Sequence, residues 1–425
     1  MQENFGINEY LYNLQFTYDR FGQISSHSIL KDGGNELFSS EQIHDFNEGR
    51  ILATSIKIGN KIHSFQYEYL PDSHLLKSIK IPNGLKQIFS YESQRDLEAA
   101  LSVSNAGGES IVSRSYAYDL KKYPIQKIQT RKGHVQENQS FIYNDRDEII
   151  STTINNTSHH YDYDNAGNRK SLQSGATTVA YDTNQLNQYS RIIGAQSSFI
   201  PTYDSDGNQT VVETENGKWF VRYNAAQQAV SFINSIERVR IECEYDCLGR
   251  RISKFVYTDN ILTRKTAFLY KGYLLIAEFD MTGNQIDLKK TYFWDPLKIV
   301  NTRPLVMSTF DEQKENFFYI YDNFKNILGL VDKDGMLSAK YLYSSYGKTI
   351  KSEGHLHKIN PFRFFSEYYD DDIGVIYYNY RYYNPMDGRW IGRDLLRELI
   401  SFNLYSFLPF PLGNDILGLS SERDF

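Results

Sequence analysis

The chain is poor in the residues that cross-link, break or reshape a fold: of 425 residues, two are cysteine, ten proline and five methionine. Cys243 and Cys247 flank a turn signal, and in an extended strand their Cα atoms would stand roughly 13 Å apart at ~3.3 Å per residue. That is beyond disulfide reach, so free thiols are expected, which suits maturation in a reducing compartment. Positive charge is also short. A net charge of −6 and a pI near 5.9 leave no basic footprint, which argues against a nucleic-acid partner. No apolar run is long enough for a membrane span. Met1-Gln2-Glu3-Asn4-Phe5-Gly6 lacks the cationic start and apolar stretch of a signal peptide.

Motifs for cofactor or metal chemistry are missing too. There is no Gly-rich phosphate loop, no Gly-x-Ser-x-Gly elbow and no His-Glu-x-x-His, and no cofactor is expected. His159-His160 and His355-Leu356-His357 have no Cys/His partner set nearby in sequence and read as solvated loop residues. Asp204-Ser205-Asp206-Gly207-Asn208, with Glu215 at the twelfth position, resembles a calcium loop. Its sixth position, which needs Gly, holds Gln209, and a returning strand follows at Val211-Val212, so a plain hairpin turn is the better reading. No metal is expected.

What is abundant is aromatic. Residues of this class make up 15% of the chain, with 34 Tyr and 26 Phe. Flat rings pack well on a pleated surface, so the fold class is all-β. The tyrosines are also periodic. Aromatic-x-Tyr-Asp or its relics, each with a turn Gly shortly after, recur at Phe16–Gly22, Tyr161–Arg169, Pro201–Asn208 and Cys243–Arg250. Weaker copies fill the gaps, with anchors at Tyr18, Phe46, Tyr67, Tyr91, Tyr118, Tyr143, Tyr163, Tyr181, Tyr203, Tyr223, Tyr245, Tyr270, Tyr292, Tyr321 and Tyr343, roughly 18 to 29 residues apart. Each unit reads as a hairpin: Tyr ends a strand, Asp accepts backbone N–H groups at the bend, and Gly or Asn takes the φ > 0 position. Units this short bury no core alone, so they stack into one long sheet, and a sheet of about thirty strands twists into a spiralling ribbon.

The densest aromatic stretch lies near the end, Tyr377-Tyr378-Asn379-Tyr380-Arg381-Tyr382-Tyr383-Asn384-Pro385-Met386-Asp387-Gly388-Arg389-Trp390. Period-2 alternation broken by Asn384-Pro385 and Asp387-Gly388 predicts strand, turn, strand. Together with Asn360-Pro361-Phe362-Arg363-Phe364 and Glu367-Tyr368-Tyr369-Asp370, these repeats and this block resemble the Rhs (YD-repeat) family over almost the whole chain. Tyr382, Tyr383, Pro385, Gly388, Arg389 and Trp390 carry the signature. The resemblance implies a β-shell over residues 1–355 around a hollow interior that holds a toxic polypeptide, with a core domain over 356–425 plugging one end. It implies synthesis in the bacterial cytoplasm, export without a cleaved signal peptide, and as partners a toxin cargo, an immunity protein and a delivery-apparatus or shell-completing protein.

In bacterial members the block is similar to an intramolecular aspartyl protease that frees the toxin. Its Arg falls on Arg381, its two Asp on Asp394 and Asp415, and cleavage after about Leu419, before Ser420. The chemistry is coherent: two carboxylates at one site cannot both ionise easily, so one acts as acid while the other activates water, and an Arg orients one of them. Where the family reads Asp-Pro-Ile-Gly, this chain has Asp394-Leu395-Leu396-Arg397, and Ile416 replaces the Pro after Asp415. The alternative role of these residues is structural, both Asp capping turns and Arg381 pairing at a strand end. With few repeats and only Ser420 to Phe425 after the cleavage point, an incomplete cocoon is expected, or one finished by a partner or by self-association. A second functional class is a cell-surface module whose Tyr-rich faces bind glycans or a partner protein.

Overall fold

The computed structural model describes residues 2–7, 10–18, 24–31, 35–45, 50–58, 61–131, 133–283, 285–297, 302–310, 314–395 and 403–407. Among them the chain is all-β, with two short 3-10 turns at Pro82–Gly84 and Phe364–Ser366. Consecutive strands pair antiparallel throughout. Those from Gln2–Ile7 to Ser198–Phe199 form a sheet of eighteen strands, and those from Thr202–Tyr203 to Thr349–Glu353 a sheet of fourteen. A four-stranded sheet follows, made of Tyr368–Asp370, Val375–Tyr377, Tyr382–Asn384 and Arg389–Trp390. Stacked hairpins are what the repeats predict. The single ribbon expected from them is instead interrupted at Ile200-Pro201, because proline has no N–H to give a ladder.

The repeat works through its turn. Asp164 Oδ1 accepts the backbone N–H groups of Ala166 and Asn168, each at 2.9 Å, while Gly167 sits at φ +78°. Asp204 and Asp246 repeat the arrangement, and Asn144, Asn184 and Asn224 do the same with their amide oxygens. Asp204 therefore holds the hairpin turn expected of it; its second oxygen takes Asn208 Nδ2 at 3.1 Å.

The tyrosine before most of these turns does more than end a strand. It sits at a β-bulge, where the register shifts by one residue, and its hydroxyl donates to the carbonyl of the first residue after the preceding wide turn. Tyr143 reaches Pro124 at 2.9 Å, Tyr163 reaches Ile149 at 2.8 Å, Tyr223 reaches Gln209 at 2.9 Å and Tyr245 reaches Ala229 at 2.7 Å. Tyr69, Tyr91, Tyr118, Tyr270 and Tyr343 do likewise. The spacing misplaces three anchors. Tyr67, Tyr181 and Tyr292 lie two residues ahead of the bulge positions, which are held by Tyr69, Thr183 and Trp294; residues two apart share a strand face, so pattern alone does not separate them. Phe46 lies outside the described residues.

The sheets pack in three layers. The first sheet lies on the later strands of the second, with Phe65 against Phe293 (6.1 Å between ring centres) and Phe318 (6.2 Å), and with buried Arg114 bonded to Glu137 at 2.7 Å and Asp322 at 3.1 Å. The opposite face of those strands carries the C-terminal block, through Tyr292 on Phe362 (4.8 Å) and the Tyr319 hydroxyl on Asn360 Oδ1 (2.8 Å). Strands Pro304–Phe310 and Ile327–Val331 are thus buried on both faces, and their sequences are near-continuous apolar runs rather than alternating ones. The buttressing role of the repeat tyrosine is testable: Tyr223→Phe, which keeps the ring, should lower stability by ~1 kcal/mol, read as a lower urea midpoint at constant slope. An unchanged midpoint means the bond contributes nothing.

Candidate functional site

The strands Val375–Tyr377 and Tyr382–Asn384 are joined by a tight turn in which Tyr378 N–H donates to Arg381 C=O at 2.9 Å and Asn379 adopts φ +64°. This puts Arg381 at the strand entrance. Its guanidinium lies over the Trp390 ring, 4.1 Å from the centroid, and Nη1 stands 3.0 Å from Asp394 Oδ2, with the two side chains 4% and 12% exposed. Asp394 is held from the other side, its N–H donating to Leu404 C=O at 3.0 Å, and Trp390 N–H donates to Tyr405 C=O at 3.1 Å. Arg381 and Asp394 are therefore brought together. Asp415, Leu419 and Ser420 lie outside the described residues.

The signature residues form the contact between block and shell. The Tyr382 hydroxyl meets that of Tyr245 at 3.0 Å, and the Tyr383 hydroxyl donates to Tyr346 C=O at 2.8 Å. Pro385 sits in the turn closed by Gly388 N–H on Asn384 C=O at 2.9 Å, and Gly388 passes against Arg169, leaving no room for a Cβ. Trp390 packs among Tyr378, Tyr383 and Phe407. Arg389 Nη2 donates to Asn168 Oδ1 (3.0 Å) and Asn187 C=O (2.5 Å), in two shell turns, while stacking on Tyr189 at 4.1 Å. Asp387 is buried beside these groups, and burial pushes its carboxyl up to about 7, Arg169 and Arg389 opposing the rise.

A second constellation joins Tyr368, Asp370 and Tyr377 of the motifs quoted above to shell cations that lie outside those motifs. Arg251, 1% exposed, pairs with Asp370 at 2.7 Å and is ringed by Phe268, Tyr368 and Tyr377. Lys254 bonds both Asp370 and Asp372, and Arg264 bonds Asp372. The signal was present in the complementary runs Arg250-Arg251 and Asp370-Asp371-Asp372, yet nothing local says that they meet. Burial pushes the Asp370 carboxyl up, but Lys254 and Arg251 outweigh it and hold it below the usual range.

A folded-state value below the unfolded one means that the unfolded chain takes up this proton first. The Asp370 contribution is therefore complete above about pH 4 and is lost as pH falls through the lower folded value. Asp370→Asn should cost ~3–5 kcal/mol at pH 7, because it strands Arg251 and Lys254, and should flatten the acid limb of a urea-midpoint against pH curve. Identical acid limbs for variant and parent would remove Asp370 from the account.

With this geometry in view, comparison with known proteins is informative. The tRNA nuclease WapA of Bacillus subtilis (strain 168) is 25% identical over 350 residues, covering 81% of this chain and 14% of that protein. Toxin subunit YenC1 of Yersinia entomophaga is 24% identical over 287 residues, covering 60% of this chain and 28% of that protein. The chain thus spans a minor part of the length of these relatives. The Photorhabdus luminescens Tc holotoxin pore superposes with a TM-score of 0.78 over 98% of this chain and 22% of that one, at 16% identity, a likeness of fold. The family model of the teneurin YD-shell matches residues 103–408, from the first sheet through the block that carries Arg381 and Asp394, and the chain belongs to that family of YD-repeat shell proteins.

Proposed function

We propose that the chain is part of a toxin-encapsulating shell, with residues 1–355 as wall and 356–425 as a plug that cuts the chain beyond Leu419. The observation that carries the cleavage is the buried Arg381–Asp394 pair at 3.0 Å. It is pinned by the Trp390 ring and by the 403–405 backbone, more fixation than a turn cap or a surface ion pair requires. In this reading Asp394 and Asp415 share one proton at the site, one donating to the scissile amide after Leu419 while the other activates water. Arg381 decides which of them stays charged.

The relatives support the setting. WapA is named as a nuclease and YenC1 as a toxin subunit, so a toxin cargo, a delivery-apparatus partner and an immunity protein are the partners to seek. Export without a cleaved signal peptide belongs to the same reading. The glycan-binding alternative loses its motive, since repeat tyrosines such as Tyr143, Tyr223 and Tyr245 use their hydroxyls on neighbouring backbone.

Intact mass of the purified chain tests the cleavage. The expected result is loss of Ser420 to Phe425 in the parent and none in Asp394→Asn or Asp415→Asn. A parent that stays whole at every pH between 4 and 8 would falsify the protease assignment.

A further inference from the structure

The two long sheets meet at a defect. Strand Ser198–Phe199 ends the first by pairing with Ile193 and Ile192, and strand Thr202–Tyr203 begins the second by pairing with Val211 and Gln209. Each is only two residues long. Between them lie Ile200, 61% exposed, and Pro201, which offers no donor, so the ladder that joins consecutive strands elsewhere in the two long sheets lapses here.

Side chains of the block cross this gap. The Tyr405 hydroxyl donates to Gly207 C=O at 2.7 Å, in the first turn of the second sheet, and accepts from Gln188 Nε2 at 3.1 Å, in the last wide turn of the first. Its ring leans on Tyr203 at 5.9 Å. Gly207 has φ +85°, and a Cβ there would come within 2.7 Å of the Tyr405 oxygen. In the same stretch, Arg389 and Asn403 grip the first sheet through Asn168 Oδ1 at 3.0 and 2.8 Å, while Ile391 C=O accepts Gln209 N–H of the second sheet at 2.8 Å. One short stretch of the block thus bonds both banks of the break.

We propose that the Pro201 break is the seam at which the shell opens, and that Tyr405 and Arg389 of the block clasp it shut. The proposal rests on the encapsulating function above, since a seam matters to a shell with contents. Opening elsewhere within either long sheet breaks an antiparallel ladder, whereas opening here breaks the clasp and the bond of the Tyr203 hydroxyl to the Tyr189 backbone, and leaves both sheets whole. Regions with few backbone bonds to lose are those that open first.

Hydrogen–deuterium exchange on the full chain tests this without cargo or cleavage. In Tyr405→Leu, amides of the strands Tyr189–Ile193 and Gln209–Thr214 should exchange about tenfold faster, the equivalent of losing one to two hydrogen bonds, while those of Val239–Tyr245 and Arg251–Thr258 keep their rates. Tyr405→Phe, which keeps the ring and loses only the hydroxyl, should show a smaller increase confined to the same strands. Adding Pro201→Val, which restores a ladder donor, should bring the rates of Tyr405→Leu back toward the parent. Unchanged exchange beside the break, or acceleration spread evenly over both sheets, overturns the clasp. Protease protection of a passenger fused after Phe425 reads encapsulation separately, so a seam that opens around an unprotected passenger upholds the clasp and refutes the encapsulating function.

Discussion

The shell depends on a hydroxyl meeting a carbonyl. Where each wide turn begins, a β-bulge adds a residue and pulls the strand away from its neighbour, leaving the carbonyl just past the preceding turn without a ladder partner. The repeat tyrosine supplies that partner, as Tyr163 does for Ile149 and Tyr245 for Ala229. A leucine or phenylalanine would fill the same volume and leave the carbonyl unsatisfied, at ~1–3 kcal/mol each. Trp294 shows that the donor matters rather than the tyrosine: its Nε1 meets Leu275 C=O at 2.7 Å in the same position. Most turns are thereby tied to the one before, and units too small to hold a core join into two long sheets.

That wall does not by itself explain the charge buried beneath it. Arg251 and Asp370 sit at 1% and 0% exposure, and a well-packed apolar pair in their place would be of similar or greater stability. What charge adds is selectivity of seat. The block must find one place on a sheet whose units all look alike, and an apolar face would fit several. Arg251 reaches Asp370, Lys254 reaches Asp370 and Asp372, and Arg389 reaches the Asn168 and Asn187 turns. A shift by one hairpin would strand all of these at once. The polar seam therefore sets register, while aromatic stacking around Trp390 and Phe362 supplies most of the burial.

What could be read from the residues follows the range of the interactions. The turns were legible because Asp164, Gly167 and Asn168 interact within five positions. So was the strand-turn-strand of the block, through Asn384 and Gly388. Anchor positions slipped by two at Tyr67, Tyr181 and Tyr292, where two aromatic or polar residues share a face and only the bulge distinguishes them. The three-layer stacking leaves a trace in the sequence: Ile327-Leu328-Gly329-Leu330-Val331 does not alternate, and a strand that does not alternate is covered twice. Pro201 likewise stood in plain view inside a repeat, where a missing donor implies a missing rung. The pairing of Arg251 with Asp370, 119 positions apart, has no local signature, and neither has the approach of Leu404 to Asp394.

The turn glycines join these scales. Gly207, Gly249 and Gly347 have φ near +80°, a conformation that asparagine also adopts, as Asn187 does at φ +60° in the equivalent turn. Conformation alone therefore does not demand glycine. Closeness does: a Cβ at Gly249 would stand 2.9 Å from the Tyr380 ring, and one at Gly347 would stand 2.5 Å from Phe364. Turns that the block touches through a hydrogen bond alone keep a larger residue at the same φ position: Asn187, whose C=O accepts Arg389, and Lys325, whose C=O accepts Ser366 Oγ. At Gly207, Gly249 and Gly347 the glycine therefore records the close approach of a block ring, and a repeat that looks purely local carries at those positions the footprint of a second layer.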